Sequence, residues 1–234
     1  MIARDGFIFI GIGFILSLVL LYVALKVDSW PIWSIAAIIA ILTLFTVFFF
    51  RDPERYVADE KGLLVAPADG KIVAIEEIGP HDFIGGTATR ISIFLSVFDV
   101  HVNRTPASGV IDFVRYNPGK FLAAFNEKAS MDNEQTEIGL TTSDGSRVIF
   151  KQIAGLIARR IVCRISVGDT LTAGQRIGMI RFGSRMDIII PSGSKITTAV
   201  GNHVKAGETI IGYLPAAANS SATTKSSKGQ NVEL

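Results

Sequence analysis

Few side chains in this 234-residue chain carry reactive groups, and the most suggestive pair is Gly183-Ser184. The dipeptide lies in RFGSRMD, Arg181 to Asp187, between two apolar, strand-like runs, IGMI (177–180) and IIIP (188–191). Glycine reaches positive φ without steric cost, so Gly183 marks a joint where the backbone can bend sharply. A serine directly after such a joint can aim its hydroxyl at the preceding carbonyl. Attack there turns the Gly183-Ser184 amide into an ester, elimination cuts the chain, and the dehydroalanine left behind hydrolyses to an N-terminal pyruvoyl group. The alternative reading is an ordinary strand turn in which Gly-Ser serves geometry alone.

Self-cleavage of this kind needs a base for the Ser184 hydroxyl and an acid for the departing group, and histidine suits both near neutral pH. There are three histidines. His81 sits in a polar stretch beside Pro80 and His203 in a turn of a repeated unit, and both read as surface residues. His101 differs, because it follows the apolar run ISIFLSVFDV and stands among Asp99, Asn103 and Arg104. Asp69, in PADG, reads from spacing alone as the first residue of an Asp-Gly turn between strands. The single cysteine, Cys163, cannot form an internal disulfide, and no Cys/His cluster has zinc-binding spacing, so no metal is expected.

FGSR resembles the self-cleavage site of the shorter bacterial phosphatidylserine decarboxylases, pyruvoyl enzymes that make phosphatidylethanolamine. FFRDPER (49–55), PADGKIVAIEE (67–77), FLSVFDVHVNRTP (94–106) and QIAGLIARRIVC (152–163) are similar to stretches of the same family, and together the matches span about two thirds of the chain. The resemblance implies cleavage between Gly183 and Ser184 and a covalent pyruvoyl cofactor made from Ser184, whose carbonyl forms a Schiff base with the substrate amine and acts as the electron sink. No pyridoxal-phosphate lysine motif competes with it. It further implies catalytic roles for His101 and for Asp69, which in the family orients the histidine used in self-processing. With an ordinary pKa near 6.5, His101 would carry the proton returned to the substrate carbon at cellular pH. Longer family members have a second histidine three positions beyond the one matching His101; here that residue is Arg104, which is always protonated and cannot act as a base. The group that activates Ser184 is left open. Arg51, Arg55 and Arg104 are candidates for the lipid phosphate, although Arg51 and Arg55 read equally well as interfacial anchors.

The elements that must position these residues begin with a membrane anchor. The composition is 49% hydrophobic, high for a wholly soluble protein. Two uninterrupted apolar runs, Gly6 to Leu25 and Pro31 to Phe50, are each long enough to cross the roughly 30 Å hydrocarbon core as a helix. Only KVDSW (26–30) separates them, which suits a tight hairpin with Trp30 and Trp33 at the interface; a signal peptide is the weaker alternative, since no small-x-small cleavage site follows. Arg4, Arg51 and Arg55 flank the hairpin against Lys26 in its turn, so both chain ends are expected on the cytoplasmic side of the inner membrane. The net charge of +2 gives no polybasic signature and little reason to expect nucleic acid.

From Leu63 the pattern changes to short β-type segments with glycine punctuation, predicting a mainly β, barrel-sandwich-like domain with one short helix near 121–128. Val167 to Ile180 and Val200 to Leu214 both read V-G-x-x-apolar-x-A-G-x-x-I, an internal duplication of short strands and turns. The same form occurs in biotinyl and lipoyl carriers, so a carrier or membrane-anchored binding module is the rival reading; its only plausible lysine, Lys195, lacks flanking methionines. The expected organisation is an anchor over 1–55, a catalytic β domain over 56–215 and a disordered tail over 216–234. Its expected partners are a phospholipid substrate, the membrane and its own cleaved piece, 1–183 staying with 184–234 because strands on both sides of the cut belong to one sheet system. A homo-oligomer is one of the states the sequence allows.

Overall fold

A computed structural model describes residues 1–58, 60–119, 133–155, 160–181 and 184–215. The short helix expected at 121–128, the tail at 216–234 and Gly183 itself lie outside the described residues.

After a 3-10 turn over Arg4–Gly6, helices α1 (Phe7–Val27) and α2 (Trp30–Phe49) run against one another, each within two residues of the bounds read from the sequence. Their mean hydropathies are 2.8 and 2.5, and only 6% and 11% of their most apolar windows are buried inside the protein. Such a surface fits a pair of helices covered by lipid. The reversal between the helices falls on Asp28 in the left-handed region (φ 46), whose N–H bonds to Ala24 O, and Pro31 sits in the first turn of α2, where its missing N–H costs nothing. Small side chains bring the helices close: a Cβ on Gly13 would collide with Thr43, and the Ser17 and Thr43 hydroxyls lie 3.3 Å apart.

The rest of the described chain is built on β strands. Its strands are β1 (Leu63–Val65), β2 (Gly70–His81), β3 (Gly86–Leu95), β4 (Val102–Arg104), β5 (Gly109–Asn117), β6 (Gln135–Thr141), β7 (Arg147–Ala154), β8 (Ile161–Cys163), β9 (Thr170–Leu171), β10 (Arg176–Ile180), β11 (Ser184–Pro191), β12 (Lys195–Ile196), β13 (His203–Val204) and β14 (Ile210–Tyr213). Eight form one curled antiparallel sheet in the order β13-β2-β3-β11-β7-β6-β5-β9, and two three-stranded sheets, β1-β14-β12 and β4-β10-β8, complete the domain. Alternate residues of the central strands, among them Ile91, Ile93, Phe150, Met186 and Ile188, fill one apolar core, as the period of two requires.

The sheet order is palindromic, because the domain is two copies of one unit. β1, β2, β3, β11, β12, β13 and β14 make one half, and β4, β5, β6, β7, β8, β9 and β10 repeat them in the same roles. Gly70 pairs with Val204 as Gly109 pairs with Leu171. At the dyad the halves exchange reciprocal hydrogen bonds, Arg104 N–H to Pro67 O (2.8 Å) and Val65 N–H to Pro106 O (2.9 Å). Two glycines at equivalent turns, Gly174 (φ 75) and Gly207 (φ 70), meet back to back; their positive φ disfavours any side chain, and a Cβ on Gly174 would in addition collide with Val57 and one on Gly207 would crowd Arg104. The duplication read at 167–180 and 200–214 is one part of this symmetry; Pro67-Ala68-Asp69-Gly70 against Pro106-Ala107-Ser108-Gly109 is the other.

The second half is inserted into the first, between β3 and β11. The chain leaves the first half through residues 96–101 and returns to it at Ser184. The strands flanking the joint therefore lie in different sheets, β10 in a small one and β11 at the centre of the large one, and not in one sheet as the sequence suggested. His81 ends the long strand β2 and His203 lies in β13, where loops had been expected.

Candidate active site

Ser184 is the first residue of β11, with Leu95 at the end of β3 on one side and Ala154 at the end of β7 on the other. Its alternation with Met186 and Ile188 turns its side chain toward the core, and it is fully buried. Its Oγ has no hydrogen-bond partner among the described residues. A buried hydroxyl without a partner costs stability, so such a group calls for a functional reason.

The register that sets Ser184 beside Leu95 also brings in His101, because the turn after β3 starts at the next residue. That turn is tied by Ser96 N–H to Asp99 Oδ2 (2.8 Å) and by Asp99 N–H to Ser96 O (3.0 Å). His101 Nδ1 lies 2.9 Å from the Asp99 carbonyl. A carbonyl only accepts, so Nδ1 carries the hydrogen and, in the neutral ring, Nε2 is the unprotonated nitrogen. The ring is fully buried and packs on Phe49, the last residue of α2, with centroids 4.2 Å apart. Burial lowers its pKa from 6.5 to about 4; the Asp99 carbonyl and charge oppose the shift and Arg51 adds to it. His101 is therefore neutral at cellular pH. That differs from the expectation of an ordinary pKa near 6.5.

Asp69 sits just before β2. Its Oδ1 accepts from Ala206 N–H (2.8 Å), and its carboxylate pairs with Arg55 at 3.0 Å. Burial pushes its pKa up, opposed by the Ala206 N–H and Arg55. In the other half Ser108 occupies the same position and accepts from Ala173 N–H (2.9 Å), the counterpart of Ala206. A hydroxyl thus suffices for the turn, and Asp69 adds to it a carboxylate paired with Arg55. That charge and His101 share two neighbours, Asp99 and Arg51.

The arginines divide by role. Arg104 is buried and donates to Gly174 O and Pro53 O, both at 2.9 Å, with Asp52 at 3.4 Å; it holds the dyad and the chain leaving α2, and is not presented to a phosphate. Arg55 bridges Asp69 and Glu208. Arg51 donates to Phe98 O (2.6 Å) and lies over the Phe48 ring. Phe98 is exposed and meets Phe45 of α2 edge to face, so the His101 turn and the end of the second helix form one surface at the level where the bilayer would end. On the other side of the joint, Arg181 pairs with Asp5 (3.4 Å) and lies over Phe9 of α1. The anchor contacts the site from both sides of the joint.

His81 is remote, since β3 runs nine residues from its partner Gly86 to Leu95, roughly 30 Å. His203 is exposed on the sheet's outermost strand.

Two residues went unremarked as site residues in the sequence. Gln152 in β7 is a diagonal neighbour of Ser184 on the same face, about 7–8 Å away between backbones. Its Nε2 donates to Asn103 Oδ1 at 2.9 Å, while Gln152 Oε1 and Asn103 Nδ2 are buried without partners among the described residues. Asn103 had been noted only as a neighbour of His101, and the signal for Gln152 was a polar side chain at an inward position of an apolar strand, which needs the face assignment to be visible.

Comparison with known proteins agrees with this geometry. The family model described as phosphatidylserine decarboxylase matches residues 42–212. The chain is 46% identical to the phosphatidylserine decarboxylase proenzyme of Desulfotalea psychrophila, over 91% of this chain and 96% of the relative. It is 46% identical to the protein of the same name from Symbiobacterium thermophilum, over 92% and 96%, and 52% identical to that of Chlorobium phaeobacteroides, over 72% and 78%. A match of this extent, spanning the anchor's second helix, both halves of the β domain and Ser184 itself, means that the chain belongs to the phosphatidylserine decarboxylase family.

Proposed function

We propose that this protein is a membrane-anchored, self-processing decarboxylase that converts phosphatidylserine to phosphatidylethanolamine and CO2. The observation that carries the reading is Ser184, a buried hydroxyl without a partner among the described residues, where the chain re-enters the first half of the domain, beside the turn that leads to His101. In processing, Ser184 Oγ adds to the Gly183 carbonyl carbon and the C–N bond breaks, leaving an ester. Loss of the Ser184 Cα proton then expels the Gly183 carboxylate, and hydrolysis of the resulting dehydroalanine releases ammonia. The pyruvoyl group so formed at residue 184 supplies a carbonyl electron sink for the charge left behind when CO2 departs.

The chain's own groups do the rest. Neutral His101, through Nε2, accepts the proton that the headgroup ammonium sheds before its nitrogen can react, and returns it to the substrate Cα after CO2 leaves. Asp69 fixes Arg55 and faces Arg51, which together with Asp99 sets the field around that imidazole. The smaller piece, from 184 onward, stays bound because β11 is hydrogen-bonded to β3 over eight residues and to β7 over six. The arginine asymmetry about the hairpin orients the β domain to the cytoplasmic face of the inner membrane, and the packing of Phe49 on His101 keeps the reaction at the bilayer surface, where a serine headgroup protrudes.

Intact mass of the membrane-extracted protein tests this. Two chains split at Gly183/Ser184, the smaller blocked at its N-terminus, are expected, and Ser184→Ala should remain whole. A single 25.2 kDa chain in active material would end the reading.

A further inference from the structure

Three buried polar atoms on the inner face lack partners among the described residues and belong to one neighbourhood: Ser184 Oγ, Gln152 Oε1 and Asn103 Nδ2. All three side chains are fully buried. The amide orientations follow from chemistry: Gln152 Nε2 also faces the Val162 carbonyl at 3.4 Å, which only accepts, so Gln152 must turn its donor that way and its acceptor outward. Asn103 then accepts through Oδ1, and its Nδ2 is the spare donor. One spare donor and one spare acceptor, held rigidly beside the reactive serine, match the two ends of an α-amino acid.

We propose that the Asn103–Gln152 amide pair is the subsite for the serine end of the headgroup, with Asn103 Nδ2 donating to its carboxylate and Gln152 Oε1 accepting from its ammonium. The proposal rests on the reading of Ser184 as the reactive position. Its chemical logic is the neutrality of the pair. An arginine would hold a carboxylate more tightly, but it would stabilise the charge that must disappear as CO2 leaves and so raise the barrier. The two arginines adjacent in sequence are turned away: Arg104 donates to Gly174 and Pro53, and Arg185, on the opposite face of β11, is locked to Asp187 and Ser92. A neutral donor positions the carboxylate without that penalty, and the burial of the amides rejects lipids that leave them unpaired.

The test separates headgroup recognition from formation of the site. Asn103→Asp is isosteric but replaces the donor with an acceptor bearing negative charge. Full-length wild type and variant in detergent micelles are assayed for chain cleavage by mass, for phosphatidylserine turnover, and for coupling to phosphatidylethanolamine. In the last, cyanoborohydride supplies hydride to fix the lipid amine to residue 184, read as added mass on the small chain. Phosphatidylethanolamine has the amine but no carboxylate. The expected result is a cleaved Asn103→Asp variant with kcat/KM for phosphatidylserine at least about 100-fold lower, and coupling to phosphatidylethanolamine within about twofold of wild type or higher. Asn103→Ser, which keeps a hydroxyl donor, should recover part of the turnover. If Asn103→Asp is not cleaved, Asn103→Ser carries the same comparison. Turnover within threefold of wild type, or turnover and coupling that fall together, overturns the proposal. Absence of coupling in wild type itself overturns the reading of Ser184 and takes this proposal with it.

Discussion

β6 and β7 are joined by a turn of five residues, 142–146, in which Thr142 Oγ1 donates to Ser146 O and Asp144 accepts from Ser146 N–H. Their counterparts β3 and β11 are joined through residues 96–183, the whole of the second half. The closed hairpin is self-sufficient and carries no reactive group. The opened one brings two chain crossings past the end of the same strand pair, one bearing His101 and the other Ser184. For a flexible chain the longer connection would cost only about 2–3 kcal/mol more in closure entropy, and less here because the inserted half folds with its own ends together. The opened hairpin thus gathers His101 and Ser184 where its closed counterpart gathers no such groups.

The sharpest way to break this contrast is at the first residue of each returning strand. Ser184→Ala should abolish both cleavage and turnover, whereas Arg147→Ala, at the start of β7, should leave the chain cut and active, since Arg147 only reaches over Phe83 to its carbonyl. Mass and CO2 release report both, and an uncut Arg147→Ala protein would erase the distinction between the two strand starts.

Next in size is the turn that only the opened hairpin possesses. His101→Ala should lower decarboxylation by about 10² to 10⁴, with chain cleavage surviving in part if another group serves Ser184, while His81→Ala and His203→Ala should stay near wild type. A loss equally deep in either control would remove His101 from the site.

The pH profile sharpens the same point. Because the folded pKa of His101 is depressed to about 4, its neutral form persists as pH falls through 6.5, and kcat/KM should decline only around pH 4. The same depression makes the unfolded state the better proton acceptor, so this group's contribution to stability is complete above pH 6.5 and is lost between 6.5 and about 4. Phe49→Ala, which opens the ring to water, should move the activity limb upward toward 6.5; an unmoved limb would show that α2 does not set the basicity of His101.

The smallest effects are expected at the paired turns. Ser108→Ala should cost about 1 kcal/mol in urea unfolding with turnover unchanged. Asp69→Ser copies the second half's residue, so the turn should hold at a cost of about 1–3 kcal/mol while turnover falls, because the charge opposite Arg55 is gone. Equal turnover in the two variants would make Asp69 a turn residue like Ser108.

Local pattern fixed a good deal of this protein in advance. Two twenty-residue apolar runs have the length and composition of membrane-crossing helices, β-branched segments punctuated by glycine read as short strands, and the V-G…A-G repeat revealed half of the duplication. Gly183, Ser184, His101 and Asp69 were named because they stand in contiguous motifs that survive as strings. What the tertiary structure alone decided are the relations between distant strings: that 67–70 and 106–109 are equivalent, that the second half is inserted at the strand end where Ser184 lies, and that Arg104 faces the dyad. Burial belongs to the same class. The depressed basicity of His101 comes from burial, to which Phe49, fifty-two residues earlier, contributes a packed ring, and the atoms of Asn103 and Gln152 that lack partners among the described residues do so in a buried setting that local sequence does not reveal. A sequence records which groups are present, but the free energy of a charge or an unpaired hydrogen bond depends on the dielectric and partners around it, and those are set by long-range packing.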